Sequence, residues 1–122
     1  MSWDVEYTDE FRQWWVGLAE KQQESLDSSI GLLVDRGPFL GFPHSSGVVG
    51  SRFKHMRELR TQHGGKPLRT LYAFDPRRTV ILLIGGDKTG DNRWYAVNIP
   101  TADRLYEEYL LKLKKEGLIN GQ

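Results

Sequence analysis

Two segments in the middle of the chain set basic residues among apolar, strand-like neighbours. They are His55-Met-Arg-Glu-Leu-Arg60 and, after a polar turn, Leu68-Arg-Thr-Leu-Tyr72. The next apolar run leads to Lys88. Adjacent strands of a sheet lie about 4.8 Å apart, so Arg60, Arg69 and Lys88 on neighbouring strands come within reach of one phosphodiester. Their charges would stabilise the phosphate oxygens while the 2′-hydroxyl of an RNA attacks, a cleavage that needs no metal. The plainer reading of each cation taken alone is a solvated strand residue.

Other chemistries find little support. His44, His55 and His63 lack the spacing of metal ligands, and no carboxylate pair stands beside them, so neither metal nor cofactor is expected. Gly85-Gly86 has neither the spacing nor the following helix of a phosphate-cradling loop. The absence of cysteine excludes disulfides and zinc-thiolate sites and suits a reducing compartment. Met1-Ser2-Trp3-Asp4 does not open a signal peptide, and the apolar run Val80–Ile84 is too short for a bilayer. A soluble, cytoplasmic protein without membrane association is expected.

Charge is unevenly placed. Residues 52–78 hold eight Lys or Arg against two acids, whereas the first 51 residues hold three bases against eight acids. The near-neutral total hides a basic centre of the kind that binds polyanions, nucleic acid first among them.

The elements that must position these groups follow from periodicity. Trp3–Tyr7 alternates as a strand, and Thr8 or Asp9 caps a helix with Phe11, Trp14, Trp15 and Leu18 on one stripe. Leu26, Ile30, Leu33 and Val34 mark a second helix ended by Gly37-Pro38, and residues 37–51 read as loop. Strands are expected at 53–60, 68–74 and 79–84, the last two joined by the turn Asp75-Pro76-Arg77-Arg78. Gly85–Asn92 reads as a loop, Trp94–Val97 as a brief strand, and Thr101 as the cap of a last helix stopped at Gly117. The pattern predicts a single α+β domain over 1–122 with a small, mostly antiparallel mixed sheet, two N-terminal helices and a C-terminal helix.

Met56-Arg-Glu-Leu-Arg60, Arg69-Thr-Leu-Tyr72, Ile81-Leu-Leu-Ile-Gly-Gly-Asp-Lys88 and Ala102-Asp-Arg-Leu-Tyr106, in that order, resemble the RelE/ParE superfamily of bacterial toxins in its phage-related HigB-type branch. The resemblance runs over essentially the whole chain. It implies a RelE-like fold and a type II toxin that cuts mRNA on the ribosome. It also implies a cognate antitoxin, in this branch often a helix-turn-helix protein. By position, it places Arg69, Lys88, Arg60 and Tyr95 in the catalytic site and Arg57, Lys54, Trp94 and Arg93 on the RNA-binding surface. Where the most basic relatives carry lysine this chain has Glu58, which reads as a general base or, more plainly, as an arginine-paired structural carboxylate; His55 and His63 are the other acid–base candidates. Two rival functions remain: a ParE-like inhibitor of DNA gyrase and a non-catalytic phage-derived binding module.

Overall fold

A computed structural model describes residues 2–120, so Met1 of the opening segment lies outside the described residues. The chain runs β1 (Asp4–Tyr7), α1 (Asp9–Val16), α2 (Glu20–Arg36), β2 (Ser45–Gly47), β3 (Arg57–His63), β4 (Lys66–Asp75), β5 (Thr79–Asp87) and α3 (Trp94–Lys115). The five strands form one sheet in the order β1-β5-β4-β3-β2. Every neighbouring pair is antiparallel except β1 with β5. This is the α+β architecture the sequence predicts.

Each face of the sheet has its own core. Against α1 and α2 pack Phe11, Leu26, Leu33, Leu59, Tyr72, Val80 and Leu82; against α3 pack Met56, Leu71, Ala73, Ile81, Leu83 and the helix's own Trp94, Ile99, Ala102 and Leu105. Thr8 caps α1 by accepting the Phe11 N–H at 3.0 Å, while its hydroxyl donates to the Leu83 carbonyl at 2.6 Å. The cap thereby ties the first helix to the central strand β5 as well as satisfying a helix-end donor.

Four expectations change. The segment 37–51 contains a 3₁₀ turn at Gly37–Phe39 and the edge strand β2, which pairs Ser46 with Glu58. The strand placed at 53–60 begins only at Arg57, because Phe53–Met56 closes a turn through the Met56 N–H and Phe53 carbonyl at 3.0 Å. Strand β5 continues through Gly85 and Gly86, where the lack of a side chain admits an indole on each face: a Cβ at Gly85 would lie 2.2 Å from the Trp14 ring, and one at Gly86 2.4 Å from Trp94 Nε1. Finally, Trp94–Val97 is the first turn of α3 rather than a strand, so Thr101 lies within the helix and Pro100 with it. Helical Pro100 offers no N–H to the turn before it, yet burial of Ile99 before it and Ala102 after it anchors the helix on both sides of the proline.

Candidate functional site

Alternation along β3 and β4 carries Glu58, Arg60 and Arg69 to the α3 side of the sheet, together with Leu71. The ladder aligns Ser46 with Glu58, Arg60 with Arg69, and Arg69 with Gly86. Opposed like charges on neighbouring strands repel. Glu58 answers that repulsion from the same face.

Its carboxylate is the centre of the site. Oε1 accepts the Tyr95 hydroxyl at 2.6 Å and stands 3.6 Å from Arg69 Nε; Oε2 accepts Ser46 Oγ at 2.8 Å and Arg60 Nη1 at 3.1 Å. Glu58 and Arg69 are both about 95% removed from solvent, with relative exposures of 4% and 5%. At 3.6 Å the Arg69–Glu58 approach is an ion pair without a hydrogen bond. Among the described residues Arg69 Nε is a buried donor with no partner, although Nη1 donates to the Leu68 carbonyl at 3.0 Å. Such a donor costs on the order of 1–3 kcal/mol in a folded protein.

Tyr95 comes from the first turn of α3, and Lys88 from the end of β5, with Nζ 5.9 Å from the centre of the Tyr95 ring. Burial, reinforced by the hydrogen bond to Glu58, raises the Tyr95 hydroxyl above its ordinary value, and the nearby Arg69 charge only partly opposes this. The ring therefore keeps its proton at neutral pH and acts as a donor. On the outer side, the Arg60 guanidinium lies 5.3 Å from the centre of the exposed Phe42 ring. Phe42, Arg60, Glu58, Tyr95 and Lys88 thus form a continuous polar and aromatic row.

The sequence-derived site divides accordingly. The structure brings Arg60, Arg69, Tyr95 and Lys88 together. Arg69 is not the open phosphate-facing residue its strand suggested, because Glu58 holds it in the sheet. Trp94 is corrected from an RNA-stacking residue to a core residue: it is buried against Gly86 and meets Tyr95 edge-on at 5.3 Å. Alternation turns Arg57 to the opposite face from Glu58, where Nε donates to Ser45 Oγ at 3.0 Å. Lys54 is exposed in the turn before β3, and Arg93 is exposed immediately before α3. His55 is bound to the Tyr106 hydroxyl at 3.1 Å and His63 to Ser25 Oγ at 2.9 Å, so neither joins the Glu58 cluster. Ser46 and Phe42 were missed, because the Gly-, Pro- and Ser-rich composition of their segment hides a three-residue strand.

Residues 13–107 match the family model described as phage derived protein Gp49-like. The chain belongs to that family. This Gp49-like protein is 44% identical over 99 residues to a candidate toxin, HigB3, of Mycobacterium tuberculosis, covering 80% of this chain and 85% of the relative. It is 39% identical over 103 residues to a second candidate toxin, HigB2, from the same organism, covering 83% of this chain. The chain spans about half of HigB2's length, 51%. In fold, the Gp49-like protein resembles a free E. coli toxin RelE mutant, with a TM-score of 0.55 at 12% identity, covering 77% of this chain and 92% of that one. It likewise resembles the archaeal RelE–RelB complex of Pyrococcus horikoshii, with a TM-score of 0.53 at 12% identity, covering 72% of this chain and 97% of that one. The RelE-like fold expected from the sequence is the fold observed.

Proposed function

We propose that this Gp49-like protein is a single-domain toxin of a type II toxin–antitoxin system that cuts mRNA on the ribosome, in the cytoplasm and without a metal. The observation that carries the reading is the convergence of Arg60, Arg69, Tyr95 and Lys88 around one buried carboxylate. A phosphate entering this row meets the Arg60 and Lys88 cations, with the buried Arg69 charge behind them, held by Glu58. As the 2′-oxygen bonds to phosphorus, giving up its proton to solvent water, the bond to the 5′-oxygen breaks and these donors stabilise charge on the non-bridging oxygens. Tyr95, protonated at neutral pH, supplies a proton to the departing 5′-oxygen. Glu58, already accepting three hydrogen bonds, positions the donors rather than acting as the base. Alignment of the 2′-hydroxyl is left to the ribosome, since positioning supplies much of the barrier reduction.

The partner is an antitoxin, as in the solved RelE–RelB complex of Pyrococcus horikoshii, and here of the helix-turn-helix kind. Inducing the protein alone in a bacterium halts growth, and co-expression of the neighbouring antitoxin gene restores it. Primer extension on mRNA from arrested cells shows cuts within translated frames. Normal growth at high soluble expression overturns the toxin reading; arrest with an SOS response and intact mRNA transfers it to gyrase inhibition.

A further inference from the structure

Strand β1 is the outermost of the sheet, and among the described residues no strand pairs with its outer side. Its inner side is accounted for: the Asp4 N–H donates to the Arg78 carbonyl at 3.3 Å and the Thr8 N–H to the Leu82 carbonyl at 3.1 Å. Backbone groups alternate in direction along a strand, so the N–H and C=O of Val5 and Tyr7 point away from β5. Before them, the Trp3 N–H is taken by the Val34 carbonyl of α2 at 2.8 Å; after them, Thr8 caps α1. The open edge is short and bounded at both ends. Such an edge is a template for another strand.

The two sides of this edge differ in chemistry. On the α1 and α2 side is a hollow of about 370 Å³ whose walls include Val5, Tyr7, Trp15, Val16 and Ile30. Tyr7 is 58% exposed there and Val16 61%. On the α3 side a groove of about 540 Å³ carries Glu6, Asp9, Glu10, Glu108 and Glu116 against Arg77 and Lys112. Arg77 is already committed to buried Asp75 at 2.9 Å and to Glu6 at 3.2 Å, so the groove is left negative.

We propose that this edge docks an extended segment of a partner protein in which apolar residues alternate with Lys or Arg, added to the sheet beside β1. Side chains of a strand alternate between faces. Every second one therefore enters the apolar hollow and those between meet the carboxylates, while Val5 and Tyr7 supply main-chain hydrogen bonds. A second copy of this chain is a poor occupant. Two β1 strands joined through their outward Val5 and Tyr7 groups set the two Glu6 side chains directly opposite each other, and like charges so placed repel. The ladder of β1 with β5 ends at Leu82, well short of Lys88, and β2, which brings Ser46 to Glu58, is the opposite margin of the sheet. A docked segment thus leaves the Glu58 row open.

The test uses the full-length, isotope-labelled protein and two short end-capped peptides, one alternating Lys with Val and the other Glu with Val. At saturation the Lys–Val peptide slows hydrogen exchange of the Val5 and Tyr7 amides roughly tenfold, and its affinity falls as salt is added. The Glu–Val peptide protects neither amide. Val5→Pro removes an outward N–H that the ladder to β5 does not use; it melts as the wild type does and binds the Lys–Val peptide roughly fivefold more weakly, the loss of one hydrogen bond. Glu6→Gln weakens binding at low salt. No binding of the Lys–Val peptide at millimolar concentration, binding without protection of Val5 and Tyr7, equal binding of the two peptides, or undiminished binding by Val5→Pro overturns the docking edge. Because the probe is a peptide and the readout amide exchange, each of those results leaves the nuclease reading untouched.

Discussion

Arg60 and Arg69 are direct cross-strand partners, two cations facing the same side of the sheet, and Glu58 is the carboxylate that lets them share it. Glu58→Ala removes that carboxylate and leaves Arg69 buried without its counter-charge. The expected loss is about 3–5 kcal/mol, the usual result of stripping one partner from a buried ion pair. Glu58→Gln keeps the shape and loses less. Denaturant unfolding of the two variants gives the comparison, and equal stability of Glu58→Ala and wild type refutes the role.

Lys88→Ala retains the wild-type melting temperature and loses roughly a hundredfold in cleavage rate, as expected for one charged donor to a developing oxyanion. Arg69→Ala loses activity and stability together, because its side chain belongs to the sheet as much as to the site. Rates normalised to the folded fraction separate the two effects.

Tyr95 yields a pH signature. Its folded value is raised by burial and by Glu58, so its contribution to stability is complete below the ordinary tyrosine value near 10 and is lost as pH rises through the folded value. Wild type accordingly loses more stability above that point than Tyr95→Phe does, and the two run parallel between pH 7 and 9. Tyr106, pushed up to about 12 mainly by burial, adds a loss of the same sign to both proteins. At neutral pH Tyr95→Phe loses cleavage activity because the hydroxyl proton is gone.

Two glycines should respond in opposite directions to alanine. At Gly86 the new Cβ meets Trp94 Nε1 at 2.4 Å, and forcing that ring aside costs about 1–3 kcal/mol. At Gly31, inside α2 with nothing near the added Cβ, alanine stabilises by about 0.8–1.0 kcal/mol through helix propensity. Melting of both variants checks the pair.

The long elements were legible because their apolar residues recur at a helical or strand period over several turns. Failures of reading cluster where another part of the chain decides. Trp94–Val97 looks like a strand locally, and only the seat for Trp94 on Gly86 makes it helix. Leu83 and Ile84 both pack towards α3, because β5 carries an extra residue where Leu71 and Tyr72 pair with Ile84 and Leu82; alternation cannot foresee that shift. The basic strand residues were visible as a group. Their grip on Glu58 was not, because a carboxylate two residues from an arginine on a strand is equally common on a solvated face. Arg77, read as a plain turn residue, is tied to buried Asp75 at 2.9 Å and to the Tyr109 hydroxyl at 2.8 Å, a network that forms only when α3 is in place.

The parallel pairing of β1 with β5 fixes an order of events during synthesis. Asp4 finds its partner only at Thr79, and Thr8 its carbonyl acceptor at Leu83, so the amino-terminal strand and the capped helix after it wait for most of the chain to emerge. Contacts of such long separation form late and slowly. Tyr95 arrives later still. A nascent chain therefore holds no assembled site for most of the time it is being made.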